Sequence, residues 1–464
     1  MQLDEREFDV AVVGGGASGT LFSAHFKRAG AFSQSLALIE ASGRPGCGAA
    51  YGTTQSAHLL NVAASNMSAF QSEPGHFVAW LAGVMDGAEP ASYAPRGLYG
   101  DYLRDVLHEY APSSPEVVHV SGAATRLARQ DGRWIVHLDG QRRLISRAVV
   151  FALGNLPPAD PVVFPYGAPA RYVRDPWSTP FAGDIQPDAP LLLIGSGLTM
   201  VDVVLELRAA GHRGPLYAIS RHGRVHRPQR PFWPRPQCAL PKAGSSPLEC
   251  LRWLRAEMEE AKREGYDWRA VITSIRPCTA SIWSSWSIAQ KGSFLRHARS
   301  LWDMHRHRLA PDVHVAIEAL LKDGTLRVQA GRTVSIDEAG DALLVQWQPR
   351  GSTETQTLHA AQVINCTGPA TDYARVEQPL VAQLRSVGWL TPDPLGLGIE
   401  TEDDGGLIDR NGRRVPGLFA IGPMCRPRLW ESTAIPEIRV QAATLAKQFS
   451  IDAGRSRQRE RIAI

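Results

Sequence analysis

The sequence predicts an α/β fold built on two Rossmann-like units, the second inserted into a discontinuous first. Three observations carry this. An apolar, β-branched run, Val10–Val13, leads into Gly14-Gly15-Gly16-Ala17-Ser18-Gly19. A second apolar run, Leu191–Ile194, leads into Gly195-Ser196-Gly197-Leu198-Thr199-Met200. A strand that leaves its sheet through a glycine recurs at Ala148–Pro158, Gln362–Pro369 and Gly417–Pro423, as a chain that quits one sheet, builds another and returns would require.

The first unit reads strand, glycine turn, helix (Leu21–Ala29) and second strand (Leu36–Ile39), which ends at Glu40. In a G-x-G-x-x-G turn the first glycine permits the sharp bend and the second lets backbone approach a pyrophosphate. The third lets the helix pack on the strand, with the helix N-terminus facing the phosphates. An acid closing the second strand accepts hydrogen bonds from the hydroxyls of an unphosphorylated ribose. The second unit repeats the device, with helix "VDVVLELRAAG" and strand "PLYAIS", but the residue at the spacing of Glu40 is Arg221. A cation there suits a ribose 2′-phosphate, which Glu40 would repel. FAD is therefore expected at the first unit and NADPH at the second; the other reading of Arg221, with His222 and Arg224, is an exposed basic turn. Met200 replaces the third glycine and would hold its helix off the strand or narrow the nicotinamide side.

These crossings divide the chain into residues 1–185 (FAD domain, first part), 186–350 (NADPH domain with a Trp-rich helical insert) and 351–464 (return segment of the FAD domain and C-terminal tail). The expected fold is thus two Rossmann-like dinucleotide-binding domains, with the NADPH domain inserted in a discontinuous FAD domain. "RWIVHLDG" and its neighbours read as a small β-meander. In the insert, prolines extend the segment after Arg224, "SPLECLRWLRAEMEEAKREG" reads as a helix, and Trp233, Trp253, Trp268, Trp283, Trp286 and Trp302 form either a helical core or an aromatic wall. "HRHR", His305–Arg308, is either a solvated basic face or an anion site. The charged end "GRSRQRERIAI" reads as a loose tail.

With 464 residues, 44% hydrophobic and 21% charged, the chain can bury a full core. A net charge of +4 is too mild for a nucleic-acid partner, and no apolar run is long enough for a membrane span. The N-terminus "MQLDEREF" lacks the basic-then-apolar pattern of a secretory signal, which points to a cytoplasmic protein. Cys47, Cys238, Cys250, Cys278, Cys366 and Cys425 include no C-x-x-C and no ligand cluster, so neither a dithiol relay nor a metal is expected.

In order along the chain, "GCGAAYG", "HLLNV", "RGLYGDYL", "ALGN", "GSGLTMVD", "SRHG", "HRHRLAP", "INCTGP" and "LWESTAIPEIRVQA" resemble the two-dinucleotide flavoprotein monooxygenases. More narrowly, the chain is similar to the bacterial FAD/NAD(P)-binding family that includes an FAD-dependent urate hydroxylase and is related to N-hydroxylating and flavin-containing monooxygenases. The resemblance implies a bound FAD, its reduction by NADPH, and reaction of the reduced flavin with O2 to a C4a-hydroperoxide that hydroxylates a small polar substrate, a purine-like heterocycle or an amine. It places Gly14, Gly16, Ala17, Ser18, Gly19 and Glu40 on the adenosine half of FAD, with Gly48, Gly154, Thr367 and Gly368 also on cofactor. Gly195, Gly197, Leu198, Thr199, Ser220 and Arg221 fall on NADPH. His58 and Asn61 become catalytic candidates near the isoalloxazine or polar groups that satisfy loop backbone, and Gly422, Pro436 and Ile438 fall at its pyrimidine end. Glu431 and Arg439 pair with each other or with ribityl oxygens. The F-x-G-x-x-x-H-x-x-x-W pattern of Baeyer-Villiger enzymes is missing before the second glycine turn, where only Trp177 of "RYVRDPWSTPF" matches, so hydroxylation is favoured over ester formation. The alternative is an NAD(P)H-dependent flavoprotein reductase or dehydrogenase without oxygen insertion. Association into a homo-oligomer is left open.

Overall fold

The computed structural model describes residues 6–29, 34–109, 117–183, 185–236 and 240–462, with side chains described through Ile451. Along the chain, β1 (Glu7–Val13), α1 (Ala17–Arg28) and β2 (Leu36–Glu40) form the first strand-helix-strand unit. They are followed by α2 (Gly48–Tyr51), α3 (His76–Ala82) and α4 (Arg96–Glu109), then β3 (Val117–Ser121), β4 (Ala124–Gln130), β5 (Arg133–Leu138) and β6 (Arg143–Phe151). After β7 (Tyr172–Val173), the second unit is β8 (Leu191–Ile194), α5 (Leu198–Ala209) and β9 (Leu216–Ser220). Six helices follow: α6 (Pro247–Arg263), α7 (Trp268–Ile275), α8 (Thr279–Ser284), α9 (Ile288–His297), α10 (Arg299–Arg306) and α11 (Pro311–Lys322). The chain closes with β10 (Leu326–Ala339), β11 (Ala342–Pro349), β12 (Gln356–Ala360), β13 (Gln362–Asn365), α12 (Pro379–Val387), β14 (Gly406–Ile408), β15 (Arg414–Ala420), α13 (Arg426–Leu429) and α14 (Ile435–Ile462).

Two sheets result. The first runs β14-β15-β6-β1-β2-β3, with the β4-β5 hairpin folded onto β6 as the expected meander. The second runs β12-β11-β10-β9-β8-β13-β7. Strands β1 and β8 lie inside parallel stacks, between β2 and β6 and between β9 and β13, which is why both read as unbroken apolar runs. The two glycine turns are tied by the same bonds. The Gly14 N–H donates to the Ile39 carbonyl and that of Ala152 to Val13; the Gly195 N–H donates to Ile219 and that of Cys366 to Ile194. Gly14 (φ +106°) and Gly195 (φ +120°) hold a left-handed backbone, and a Cβ on either would stand 2.3 Å from the carbonyl oxygen of Ala152 or Cys366.

The sheets correct the expected boundaries. Short strands β7 and β13 belong to the second sheet, so its strands run from Tyr172 to Asn365 and overrun both ends of the 186–350 segment. The helical insert is an enlarged crossover between the adjacent parallel strands β9 and β10. Helix α6 begins with Pro247 at its first turn and a capping box in which Ser246 and Glu249 satisfy each other's backbone N–H groups. Met200 does not prop α5 away from its strand: it is fully buried in the core that α5 shares with β8, so the missing glycine is filled by apolar packing. The tail expected to be loose continues as helix α14 to Ile462. Cys238 and the extreme termini, Met1–Glu5 and Ala463–Ile464, lie outside the described residues. No helix among the described residues is long and apolar enough to cross a membrane.

Candidate active site

Both glycine turns open on one face, each into a cavity. The smaller cavity, about 290 Å³, is lined by Gly14, Gly16, Ala17, Ser18, Glu40, Gly48, Gly154 and Ile438. The larger, about 850 Å³, is lined by Asn61, Gly195, Gly197, Leu198, Thr199, Ser220, Arg221, Thr367 and Gly368. Ala50, Tyr51, Asn155, Thr433 and Ile435 wall both, so the two form a continuous cleft. Burial pushes the Tyr51 hydroxyl up to about 12, so it faces both cavities uncharged.

Each turn leaves a helix N-terminus free for an anion. Helices α1 and α5 are capped by Gly16 and Gly197, neither start carries a side-chain cap, and neither first turn holds an acid. The Glu40 carboxylate closes the first turn, accepting from the backbone N–H of Gly15 at 2.7 Å and of Ser42 at 2.8 Å. Ser220 clamps the second through Ser196 (Oγ to Oγ, 2.7 Å) and the N–H of Gly223, leaving the exposed Arg221 at the mouth beside Arg332. Gly19, in the first turn of α1, faces β1 rather than the cavity, and a Cβ there would meet the Gly14 carbonyl. Gly422 (φ +84°) faces Ser18 and donates to Gln441 Oε1 at 3.1 Å; neither it nor Pro436 lines either cavity.

His58 is placed elsewhere than expected. Its ring is buried at the joint between the units, with Nδ1 2.8 Å from Thr53 Oγ1 and Nε2 3.1 Å from the Asp202 carbonyl, and it lines neither cavity. Burial pushes its pKa down, against the pull of Asp202. Beside it, Arg96 Nη1 lies 2.7 Å from Asp202 Oδ2, an ion pair that joins α4 to α5.

The wall facing α5 was missed in the sequence. It brings Arg276, Arg299, Arg306, Arg426 and Asp303 together from α7 to α13. The Arg306 side chain is largely shielded and paired with Glu431 at 3.1 Å, while Arg308 is buried against Trp268 and Phe232, so the "HRHR" segment is not a solvated face. Glu431 and Arg439 do not meet each other; Arg439 instead donates to the Ser68 carbonyl at 2.8 Å. The tryptophans divide: Trp283, Trp286 and Trp430 form a buried cluster beside an apolar cavity of about 310 Å³, whereas Trp233 is exposed. Local spacing could have grouped only Arg299, Asp303 and Arg306, which share α10; Arg276 and Arg426 are distant in sequence. No cluster of His, Cys, Asp and Glu able to hold a metal occurs among the described residues.

Residues 11–156 match a family model described as FAD-NAD(P)-binding. The structure is similar to an ornithine N-hydroxylase of Kutzneria sp. 744, with a TM-score of 0.67 over 97% of this chain and 100% of that one, at 14% identity. The chain shares the fold of that protein. In sequence it is 21% identical, over 95% of its length and 94% of the relative's, to an uncharacterized protein of Mycobacterium tuberculosis. It is 30% identical over 235 residues to an L-aspartate N-monooxygenase of Streptomyces davaonensis, a match covering 39% of this chain and 34% of that protein.

Proposed function

We propose that the chain is an FAD-dependent, NADPH-consuming monooxygenase that hydroxylates a small polar substrate, at nitrogen as in the ornithine and L-aspartate enzymes it resembles. The observation that carries this reading is the pair of uncapped, glycine-turned helix N-termini, one closed by Glu40 and the other with Arg221 at its mouth, which open into a single cleft.

The residues fit the groups assigned to them. Gly14–Ser18 and the α1 N-terminus would hold the FAD pyrophosphate and Glu40 the adenine ribose; Gly195–Thr199 would hold the NADPH pyrophosphate, with Arg221 and Arg332 at the 2′-phosphate. When bound, FAD supplies the redox chemistry, accepting hydride from NADPH and activating O2. The chain binds and orients. Thr433 and Ile435, at the start of α14, bring a helix N-terminus to the shared wall, where it stabilises negative charge. Tyr51, Leu60, Val62 and Met67 present apolar surface that excludes water from the reacting centre. Such a protein works in the cytoplasm, where NADPH is regenerated.

Oxygen and NADPH consumption, measured together across a panel of amines and heterocycles, test the reading. One O2 consumed per NADPH with formation of hydroxylated product is expected for the right substrate; electron transfer to a quinone without oxygen uptake would establish the reductase instead. The charge assignment has its own test. Arg221→Ala should raise KM for NADPH about 10- to 150-fold, the worth of a charge-assisted contact, and leave KM for NADH nearly unchanged. Equal effects on both would remove Arg221 from the 2′-phosphate.

A further inference from the structure

The arginine wall lies outside both glycine turns, yet it brings four guanidinium groups to the cleft. Arg276 pairs with Glu437, and Arg306 with Glu431 at 3.1 Å and Glu437 at 3.4 Å. Arg299 makes only a long contact to Asp303, 3.4 Å, and Arg426 has no ion pair among the described residues. Four guanidinium groups thus meet three carboxylates, and the surplus positive charge lies at Arg299 and Arg426.

Arg426 is held in place without being neutralised. Its guanidinium sits 4.5 Å from the Trp430 ring centroid, and its Nε is buried with no hydrogen-bond partner. Asp303 Oδ1, beside it, is likewise buried and unpartnered. Burial and the neighbouring Arg299 push the Arg426 pKa down to about 10, so the group remains cationic at neutral pH. Buried donors and acceptors left unpaired are costly, and their concentration on one wall of an open cleft marks a place where a ligand completes them.

We propose that Arg299 and Arg426 form a clamp for a carboxylate of the substrate, with Asp303 Oδ1 accepting from a neighbouring N–H of the same molecule. The proposal deepens the monooxygenase reading and rests on it for the word substrate, but the clamp is tested by binding alone. Arg299 comes from the helical insert and Arg426 from the return segment, so the clamp draws on two parts of the chain that are distant in sequence.

The FAD-loaded full chain, saturated with NADP+, is titrated calorimetrically with L-aspartate, L-ornithine and L-lysine and with the α-carboxamide of each. The amides keep shape and amine but lose the α-carboxylate charge. At least one acid is expected to bind, with its amide weaker by roughly tenfold or more. Arg299→Gln, at a half-exposed position that spares the fold, should bring acid and amide close to parity while leaving NADP+ affinity unchanged; Arg426→Gln should do the same wherever it retains flavin. Binding of none of the acids, equal binding of acid and amide, or a preference that survives in Arg299→Gln would overturn the clamp. So would an equal loss of NADP+ affinity, which would assign the arginines to the cofactor. Failure of the monooxygenase reading registers separately, as absent oxygen uptake with acid binding intact.

Discussion

Replacing Gly16 with valine should yield folded protein that has lost its flavin. At this position the backbone is ordinary (φ −67°) and a Cβ would find only Gly48, its Cα at 3.4 Å and its N at 3.8 Å, so the backbone itself leaves room for a Cβ. What the side chain would occupy is the approach to the first N–H groups of α1, where the pyrophosphate of FAD is assigned. Gly14 is the contrasting case. A valine there would demand a left-handed backbone and a contact 2.3 Å from the Ala152 carbonyl, and should disrupt the turn itself. The expected pair of results is therefore a colourless Gly16→Val protein with a thermal transition close to that of flavin-stripped wild type, and a Gly14→Val protein that is both colourless and less stable than flavin-stripped wild type. Absorbance at the flavin bands and a melting curve on each variant decide it. A fully yellow Gly16→Val would show that the first glycine turn does not cradle the flavin.

The contrast explains why the fold was legible and part of the site was not. The strand-turn-helix units are local: their apolar runs, their glycines and the reversal from Glu40 to Arg221 all lie within short stretches, and the structure builds the same hydrogen bonds into each. The boundaries were misjudged because β7 has two residues and β13 four, and both owe their sheet membership to pairing with strands far away in sequence. His58 was judged by its neighbours in a loop, whereas its environment is set by Asp202 and Glu206 on α5. The "HRHR" segment failed for the same reason. A charged helix end reads as solvated until a distant carboxylate, here Glu431, accounts for its burial, and nothing in the chain announces that Arg276 and Arg426 meet over one cleft.

The largest stability effect is expected at the joint where that long-range logic is most concentrated. Asp202 is buried on α5 and its charge is met by Arg96 of α4, whose Nε also donates to the Leu59 carbonyl. Arg96→Leu would leave a carboxylate with little access to water, at a cost of about 3–5 kcal/mol. Burial already raises the Asp202 pKa, against the pull of Arg96 and His58. Without the arginine it rises further above its unfolded value. Between those two values the native state then binds more protons than the unfolded chain, so the deficit should be largest near neutral pH and narrow as the pH falls through the raised pKa. Arg96→Leu/Asp202→Leu removes both charges and should recover most of the loss, because the pair's value lies in mutual neutralisation rather than in net attraction. Denaturant unfolding of the two single variants and the double variant, at neutral and mildly acidic pH, measures the coupling. A pH-independent deficit in Arg96→Leu, or additive losses in the double variant, would mean that Arg96 acts through its backbone contact and its packing across the joint rather than through the charge of Asp202.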